Sequence, residues 1–221
     1  LILLGAVFGK LMDDSGSARV IAQSIVKFVG AEQAVLAIVL ACGILTYGGV
    51  SLFVVAFSVY PIAAQMFRES AIPKRLVPAA IALGSFTSTM TALPGTPSIQ
   101  NAIPIPFLGT TRFASPRLGI IAGIFMLVAG LLWLHWRVRN ARAAGEGYGT
   151  HKEEIMVAED RNLPGLTIAL LPLVLVLALN ATFTYWVLPA MDHYYLATAK
   201  FKNATLKDVL GIWSIIAAMA I

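Results

Sequence analysis

Two polar interruptions inside long apolar stretches contain the residues best suited to bind a solute. The first, residues 46–51, reads Thr-Tyr-Gly-Gly-Val-Ser and divides the apolar stretch of residues 34–67. The second, residues 93–98, reads Leu-Pro-Gly-Thr-Pro-Ser and divides residues 76–108. Two prolines around a glycine cannot continue a helix, so the second interruption is predicted to break the backbone. Both interruptions place hydroxyl and backbone polar groups among apolar side chains.

Thr96 and Pro97 predict the start of a new half-helix within the second break. Threonine is a good N-cap, and proline is favoured at the first helical position because its missing N–H costs nothing there. The free N–H groups of that first turn and the helix dipole would together attract an anion. The chemistry expected at this break is therefore reversible binding of a small anion.

The distribution of charged residues agrees with an anion site. No charged residue lies between Arg75 and Arg112, and only Glu32 lies between Lys27 and Arg68. An anion held in these segments would meet no repelling carboxylate. A coupling cation bound there would have to use carbonyls and hydroxyls, and H⁺ and Na⁺ are both retained as coupling ions.

The predicted substrate-binding residues come from both interruptions and their flanks. Serine and threonine are also common in membrane helices, where they bond to the preceding turn, so any one hydroxyl can have a structural role instead. No catalytic or metal-binding residue and no organic cofactor is predicted. The predicted substrate-binding set is Thr46, Gly48, Gly49, Ser51, Thr91, Pro94, Gly95, Thr96, Ser98 and Asn101.

Composition predicts a membrane protein. Hydrophobic residues make up 58% of the chain and charged residues 12%, and the mean hydropathy is +0.82. A soluble domain carries about 25% charged residues because its surface must be wetted. The surface of this chain is therefore expected to contact lipid. Its net charge of +5 comes from short loops and does not indicate a nucleic-acid partner.

The order of apolar segments predicts an all-α polytopic fold made of one inverted repeat and the start of a second. Residues 1–136 form the first transmembrane repeat, truncated at its N-terminus, with a re-entrant hairpin at 34–67 and a broken helix at 76–108. A single kinked helix is the alternative for 34–67. Residues 137–164 are predicted to be a cytoplasmic loop, and residues 165–221 the truncated start of the second repeat.

Three further segments have the length or pattern of helices. Residues 118–136 and 166–188 are apolar and long enough to span a bilayer. Residues 16–29 carry polar side chains every four positions, which suits a helix at the interface or at the end of a bundle. Asp13, Asp14 and Ser15 are predicted to cap the start of that helix, where carboxylates and hydroxyls satisfy free backbone N–H groups.

Arginines set the predicted orientation. Arg137, Arg139 and Arg142 follow directly after an apolar segment, and cytoplasmic loops are enriched in such residues. The location expected for the protein is therefore a cell membrane, crossed several times, with the bacterial inner membrane as the particular case.

Three stretches resemble the first half of the gluconate permease family of the ion transporter superfamily. They are GAVFGKLMDDSGSARVIA, GGVSLFVVAFSVYPI and TALPGTPSIQNAIP, and the resemblance covers about residues 5–125. The resemblance implies an inverted-repeat carrier with two hairpins and two broken helices that moves its substrate by an elevator-like or rocking motion. Family members are typically proton symporters of gluconate or related hydroxy-carboxylates.

Two positions depart from the family pattern. The aspartate of the family's Phe-Phe-Asp-Val-Gly-Phe stretch corresponds to Val54, and the histidine of its Pro-Pro-His-Pro-Gly-Pro stretch corresponds to Leu93. Both changes remove titratable groups from the implied site. A shorter, less hydroxylated acid, such as a hydroxybutyrate-like one, would suit the less polar pocket better than gluconate.

The function predicted from the sequence is secondary transport of a small organic anion, coupled to an ion by symport. An anion channel and a structural membrane subunit are the alternatives, and a homodimer is left open. An enzyme is not expected, because His135 and His151 do not fit a metal-binding spacing and no nucleophile motif is present.

Overall fold

The computed structural model describes residues 2–30, 33–90, 93–96, 101, 103–150, 163–191, 196 and 206–220. Across these residues the fold consists of helices and contains no strand, which confirms the predicted all-α class. A 3₁₀ turn at Lys74–Leu76 leads into α5, and a π-helical segment at Phe183–Val187 interrupts α8. The helices are α1 Ile2–Asp14, α2 Ser17–Val29, α3 Ala34–Tyr47, α4 Leu52–Glu69, α5 Val77–Met90, α6 Ile105–Leu108, α7 Pro116–Ala143, α8 Leu166–Ala190 and α9 Leu206–Ala220.

The first predicted interruption is a true break between two helices. The helix α3 ends at Tyr47, a turn follows, and α4 begins at Leu52. Gly49 has φ of +98°, a conformation that glycine adopts without the steric cost that a Cβ would bring. The two helices then pack against each other. A single continuous helix over residues 34–67 is therefore wrong, whereas the re-entrant placement of this pair stays a prediction.

The second interruption is also non-helical where it is described. The helix α5 ends at Met90, residues 93–96 form a turn, and the short helix α6 follows. Gly95 has φ of +82° at the centre of that turn. The predicted half-helix starting at Pro97 lies outside the described residues.

The core forms where α3 packs between its neighbours α2, α4 and α5. The approach of α3 to α5 is especially close, because a Cβ added to Gly84 would overlap the carbonyl group of Val39. Small residues allow two helix backbones to approach in this way. This close pair brings the ends of both helices, and hence both breaks, to the same region.

The two longest helices have the properties of membrane spans. Both α7 and α8 are long and apolar enough to cross a bilayer, and only 17% and 22% of their most apolar windows are buried. Near the end of α7, the Arg137 guanidinium lies 5.8 Å from the Trp133 ring centroid and 6.0 Å from that of Trp136. Tryptophan and basic residues are enriched at the membrane–water interface, so this cluster marks where α7 leaves the apolar zone.

Polar contacts connect the end of α7 to the turn between α4 and α5. The Arg142 Nη2 atom donates to the Ser70 carbonyl at 3.1 Å, and Arg75 pairs with Glu146 at 2.5 Å. The turn between α4 and α5 and the C-terminal end of α7 therefore lie at the same end of the molecule. The helix α7 continues to Ala143, so the loop begins later than position 137, where it was predicted to start.

The predicted capping role is wrong for Asp13 and Asp14, whereas the Ser15 hydroxyl does accept a hydrogen bond from the Ser17 N–H, at 3.4 Å. Both residues belong to the last turn of α1, and the N-cap of α2 is Gly16, with φ of +73° and no side-chain cap. Asp14 pairs with Lys10, and the Asp13 carboxylate accepts a hydrogen bond from the Ser58 hydroxyl of α4. The acidic pair therefore lies at the C-terminal end of α1, where Asp13 connects α1 to α4, and it does not cap the start of α2.

Candidate functional site

Hydrogen bonds join the two breaks directly. The Tyr47 hydroxyl donates to the Pro94 carbonyl at 2.8 Å, and the Thr96 hydroxyl donates to the Tyr47 carbonyl at 3.0 Å. These bonds connect the end of α3 to the turn of residues 93–96, almost fifty positions away in the chain. The two interruptions that the sequence indicated separately therefore form one structural feature, which we call the paired break (residues 47–51 and 93–96).

Each of the four carbonyls of residues 93–96 accepts a hydrogen bond from a different side chain. Tyr47 donates to Pro94, as above, and Asn101 Nδ2 donates to the Leu93 carbonyl at 2.7 Å. The remaining two bonds run from Asn180 Nδ2 to the Gly95 carbonyl and from Arg112 Nη1 to the Thr96 carbonyl, both at 3.3 Å.

These bonds explain how non-helical backbone is tolerated in such an apolar chain. Irregular backbone at membrane depth persists only where it is buried in protein or lines a watered cavity, because lipid offers no hydrogen-bonding partner. The Gly95 N–H also donates to the Arg112 carbonyl at 3.0 Å. The turn is therefore an ordered element stabilised from several parts of the chain.

The helix α8 packs on both halves of the paired break. A Cβ added to Gly48 would overlap the Leu173 side chain, and one added to Gly95 would lie 2.7 Å from the Phe113 ring. That ring contacts Tyr185 of the π-helical segment, with centroids 5.2 Å apart. Glycine is favoured at position 95 by both the close approach and the φ of +82°, whereas a side chain at position 48 would require Leu173 to move. The span predicted to begin a second repeat is thus part of the site.

Arg112 is the functional candidate that sequence reasoning missed. It was used only to mark the end of an uncharged interval, yet it is 2% exposed and donates to the Thr96 carbonyl. An arginine stays protonated in proteins and has five N–H donors in a planar fork that matches a carboxylate. The signal available in the sequence was a short connection between two apolar segments that contains two arginines, Arg112 and Arg117.

The predicted site residues of the first break have mainly local contacts. The Thr46 hydroxyl is buried and donates to the Cys42 carbonyl at 2.8 Å, which is the structural alternative raised for such hydroxyls. Gly48 and Gly49 form the turn, and Ser51 occupies the half-buried N-cap position of α4.

The predicted residues of the second break lie closer together. Pro94, Gly95, Thr96 and Asn101 share the hydrogen-bond network described above. Thr91 and Ser98 lie outside the described residues.

Two buried amide oxygens in this network have no hydrogen-bond donor in the described part of the chain. Asn101 is 8% exposed and Asn180 is fully buried, and the Oδ1 atom of each accepts no hydrogen bond from any residue in the described part of the chain. Both amides are oriented by their Nδ2 donors, so the two oxygens point away from the carbonyls of the turn. Buried acceptors of this kind are suited to a ligand that brings hydrogen-bond donors.

An apolar cavity of about 320 Å³ adjoins the paired break. Tyr47 and Leu93 line it at the break, and the hydroxyl-bearing Thr87 and Ser88 line it from α5. The rest of its wall comes from apolar side chains and glycines of α3, α5 and α7. The cavity has room for a short acid with an aliphatic body.

The usual metal-ligating side chains are scattered among the residues that the structure describes. No group of three or more His, Cys, Asp or Glu side chains comes together there. The polar groups that the structure describes at the paired break are amides, hydroxyls, backbone groups and one guanidinium.

Comparisons with known proteins find a permease family and two relatives named as transporters. The family model described as "GntP family permease" matches residues 1–219. "Uncharacterized transporter YxjC" of Bacillus subtilis (strain 168) is 44% identical over 234 residues, covering 100% of this chain and 50% of that protein. "Uncharacterized transporter" of Haemophilus influenzae (strain ATCC 51907 / DSM 11121 / KW20 / Rd) is 30% identical over 180 residues, covering 80% of this chain and 40% of that protein. The chain therefore spans about half the length of these relatives, and no solved structure matches it significantly.

Proposed function

The chain belongs to the GntP permease family, and on that premise we propose that the full-length protein is a secondary active transporter of a small organic anion. The carrier works in a bacterial inner membrane and moves its substrate by symport with an ion. The observation that carries this proposal is the paired break, where two interrupted apolar helices meet beside a buried arginine.

Charge supports an anion as the substrate. The Arg112 guanidinium lies next to the turn of residues 93–96, inside an otherwise apolar assembly. A guanidinium binds a carboxylate through charge-assisted hydrogen bonds, which are shorter and stronger than neutral ones. If the half-helix predicted at Pro97 forms, its N-terminal N–H groups would add to the same attraction.

The helix pattern supports a particular placement in the membrane. In our proposal α7 and α8 cross the bilayer, and the α3–α4 pair enters and leaves on one side as a re-entrant hairpin. The substrate then binds near the midplane, where interrupted helices of transporters commonly place their sites. The other half of the protein would supply a second, inverted repeat, and the two together would alternate access by a rocking or elevator-like motion. A homodimer is compatible with this arrangement.

The cavity beside the break favours a short carboxylate over a polyhydroxylated one. Its wall is mostly apolar, and the polar exceptions are the hydroxyl groups of Thr87, Ser88 and Tyr47. A gluconate-like chain would place many hydroxyls against side chains that cannot bond to them, which costs free energy for each unpaired group. A hydroxybutyrate-like acid fits better, with H⁺ or Na⁺ as the coupling ion.

Uptake by the full-length protein in proteoliposomes tests the proposal. Radiolabelled 3-hydroxybutyrate, butyrate and gluconate would be offered with an inward H⁺ gradient, an inward Na⁺ gradient or no gradient. A carrier gives saturable uptake that one gradient drives above equilibrium. Flux that never saturates would favour an anion channel, and no flux of any of the acids would favour a structural membrane subunit.

A further inference from the structure

Asn180 is unusual among the side chains of α8. It is the only carboxamide in the segment Leu166–Ala190, and it is fully buried in a helix that is otherwise mostly apolar. Its Nδ2 group donates to the Gly95 carbonyl at 3.3 Å. The reverse orientation of the amide would place two acceptor oxygens together, so the hydrogen bond fixes which atom faces the turn.

The remaining oxygen of this amide has no structural use in the described part of the chain. Asn180 Oδ1 is buried and accepts no hydrogen bond there. A buried acceptor left unpaired costs its full desolvation penalty, whereas a leucine, which has the same branching at Cγ, carries no polar group that would incur it. The amide is therefore suited to a partner that arrives with its own donor.

The position of Asn180 places this acceptor beside the proposed anion site. Asn180 bonds to the Gly95 carbonyl and Arg112 to the Thr96 carbonyl, so the two side chains approach consecutive residues of the turn. The helix changes to π geometry three residues later, and Thr184 Oγ1 donates to the Asn180 carbonyl at 2.7 Å. Single π-helical turns inside α-helices occur frequently at functional sites.

Two kinds of partner bind an amide oxygen such as Asn180 Oδ1, a metal cation or a hydroxyl group, and the positive charge of Arg112 distinguishes between them. A metal cation next to Arg112 would be repelled by the guanidinium, since like charges close together in a protein interior cost several kcal/mol. A neutral hydroxyl carries no such penalty, and it would sit on the same molecule as the carboxylate that the arginine attracts.

We propose that Asn180 is a specificity-determining residue of the carrier, whose Oδ1 accepts a hydrogen bond from a hydroxyl of the transported acid. This inference rests on the proposed function. It adds that a residue of α8 binds the substrate at the turn of residues 93–96, between α5 and α6. An acid without a hydroxyl leaves the amide oxygen unpaired and is selected against.

The test compares two acids that differ by one hydroxyl group, 3-hydroxybutyrate and butyrate, in proteoliposomes of the full-length protein. The wild type is expected to show at least a roughly tenfold higher uptake efficiency for 3-hydroxybutyrate. Asn180→Leu is expected to bring the ratio of the two efficiencies close to one, whatever the absolute rate of uptake. Thr182→Val is the matched control, because its hydroxyl only donates to the Ala178 carbonyl in the same helix; its ratio should equal that of the wild type.

A purely structural role for Asn180 gives a different result. In that case Asn180→Leu lowers uptake of both acids in proportion and leaves their ratio unchanged, which overturns the inference. If the leucine variant does not fold, Asn180→Ser replaces it, since a hydroxyl still offers a donor but is too short to reach both partners. A wild-type ratio in the serine variant also overturns the inference.

Failure of the proposed function is distinguishable from failure of this inference. Wild-type protein that transports both acids equally contradicts the role of Asn180 and leaves the carrier intact. Wild-type protein that transports no carboxylate, under any gradient, removes the basis of both.

Discussion

Replacing Arg112 by glutamine should weaken substrate binding without unfolding the protein. Arg112 is 2% exposed, and its Nη1 donates to the Thr96 carbonyl. The glutamine amide also has an N–H donor for that carbonyl, so the substitution removes the positive charge while retaining a group that can satisfy the turn. The change therefore isolates the electrostatic contribution of the guanidinium to anion binding.

The size of the effect follows from the burial of the site. Opposite charges 4 Å apart attract by about 4 kcal/mol at an effective dielectric constant of 20, and desolvation of the acid offsets part of this. Hydrogen bonds to charged groups contribute about 1.5–3 kcal/mol net. Since 1.4 kcal/mol corresponds to a factor of ten, the half-saturation concentration should rise about 10- to 150-fold.

Initial rates of 3-hydroxybutyrate uptake into proteoliposomes would measure this change. Arg112→Lys should give an intermediate value, because an ammonium retains the charge but lacks the planar fork that matches a carboxylate. Arg117→Gln is the matched control, since Arg117 lies exposed in the first turn of α7. An unchanged half-saturation concentration in Arg112→Gln, or an equal loss in Arg117→Gln, would refute the reasoning.

Other substitutions test the remaining parts of the structure. Tyr47→Phe and Thr96→Val each remove one hydrogen bond of the paired break, so each should lower the initial rate of uptake. If the two bonds act together, the double variant should lose less transport activity than the two single losses added in free-energy terms. Additive losses would contradict this. Gly95→Ala adds a methyl group where φ is +82° and a phenyl ring lies close, so detergent-solubilised protein should unfold several degrees lower in a thermal melt; an unchanged melting temperature would contradict the backbone assignment. Glu146→Gln breaks an exposed pair with Arg75 and should change stability in the same melt by less than about 1 kcal/mol, whereas a large loss would show that this pair is more than a surface contact.

Local sequence signals predicted the breaks well because their causes are local. Proline and glycine at 94 and 95 prevent a helix through steric and hydrogen-bonding effects within a few residues. The same holds for the length and hydropathy of α7 and α8, which composition alone predicts. The family resemblance of residues 5–125 is confirmed by the match over residues 1–219.

Long-range contacts could not be predicted in the same way. Arg112 and Asn180 reach the turn from 16 and 85 positions away, and no periodicity or motif relates them to it. The boundary between α1 and α2 was predicted wrongly for a related reason. Carboxylates before an apolar run resemble an N-cap, yet Gly16 in the left-handed conformation marks the end of the preceding helix. Local sequence alone did not show which of the two adjacent helices the acidic pair belongs to.

The central claim is that the paired break and Arg112 hold the transported anion. A cryo-EM structure of the full-length protein in lipid nanodiscs, with the best-transported carboxylate present, tests it most directly. We expect the acid within hydrogen-bonding distance of the Arg112 guanidinium, at the turn of residues 93–96 and near the middle of the bilayer. Density for the acid at another place, or a turn that faces lipid or lies outside the bilayer, would contradict it.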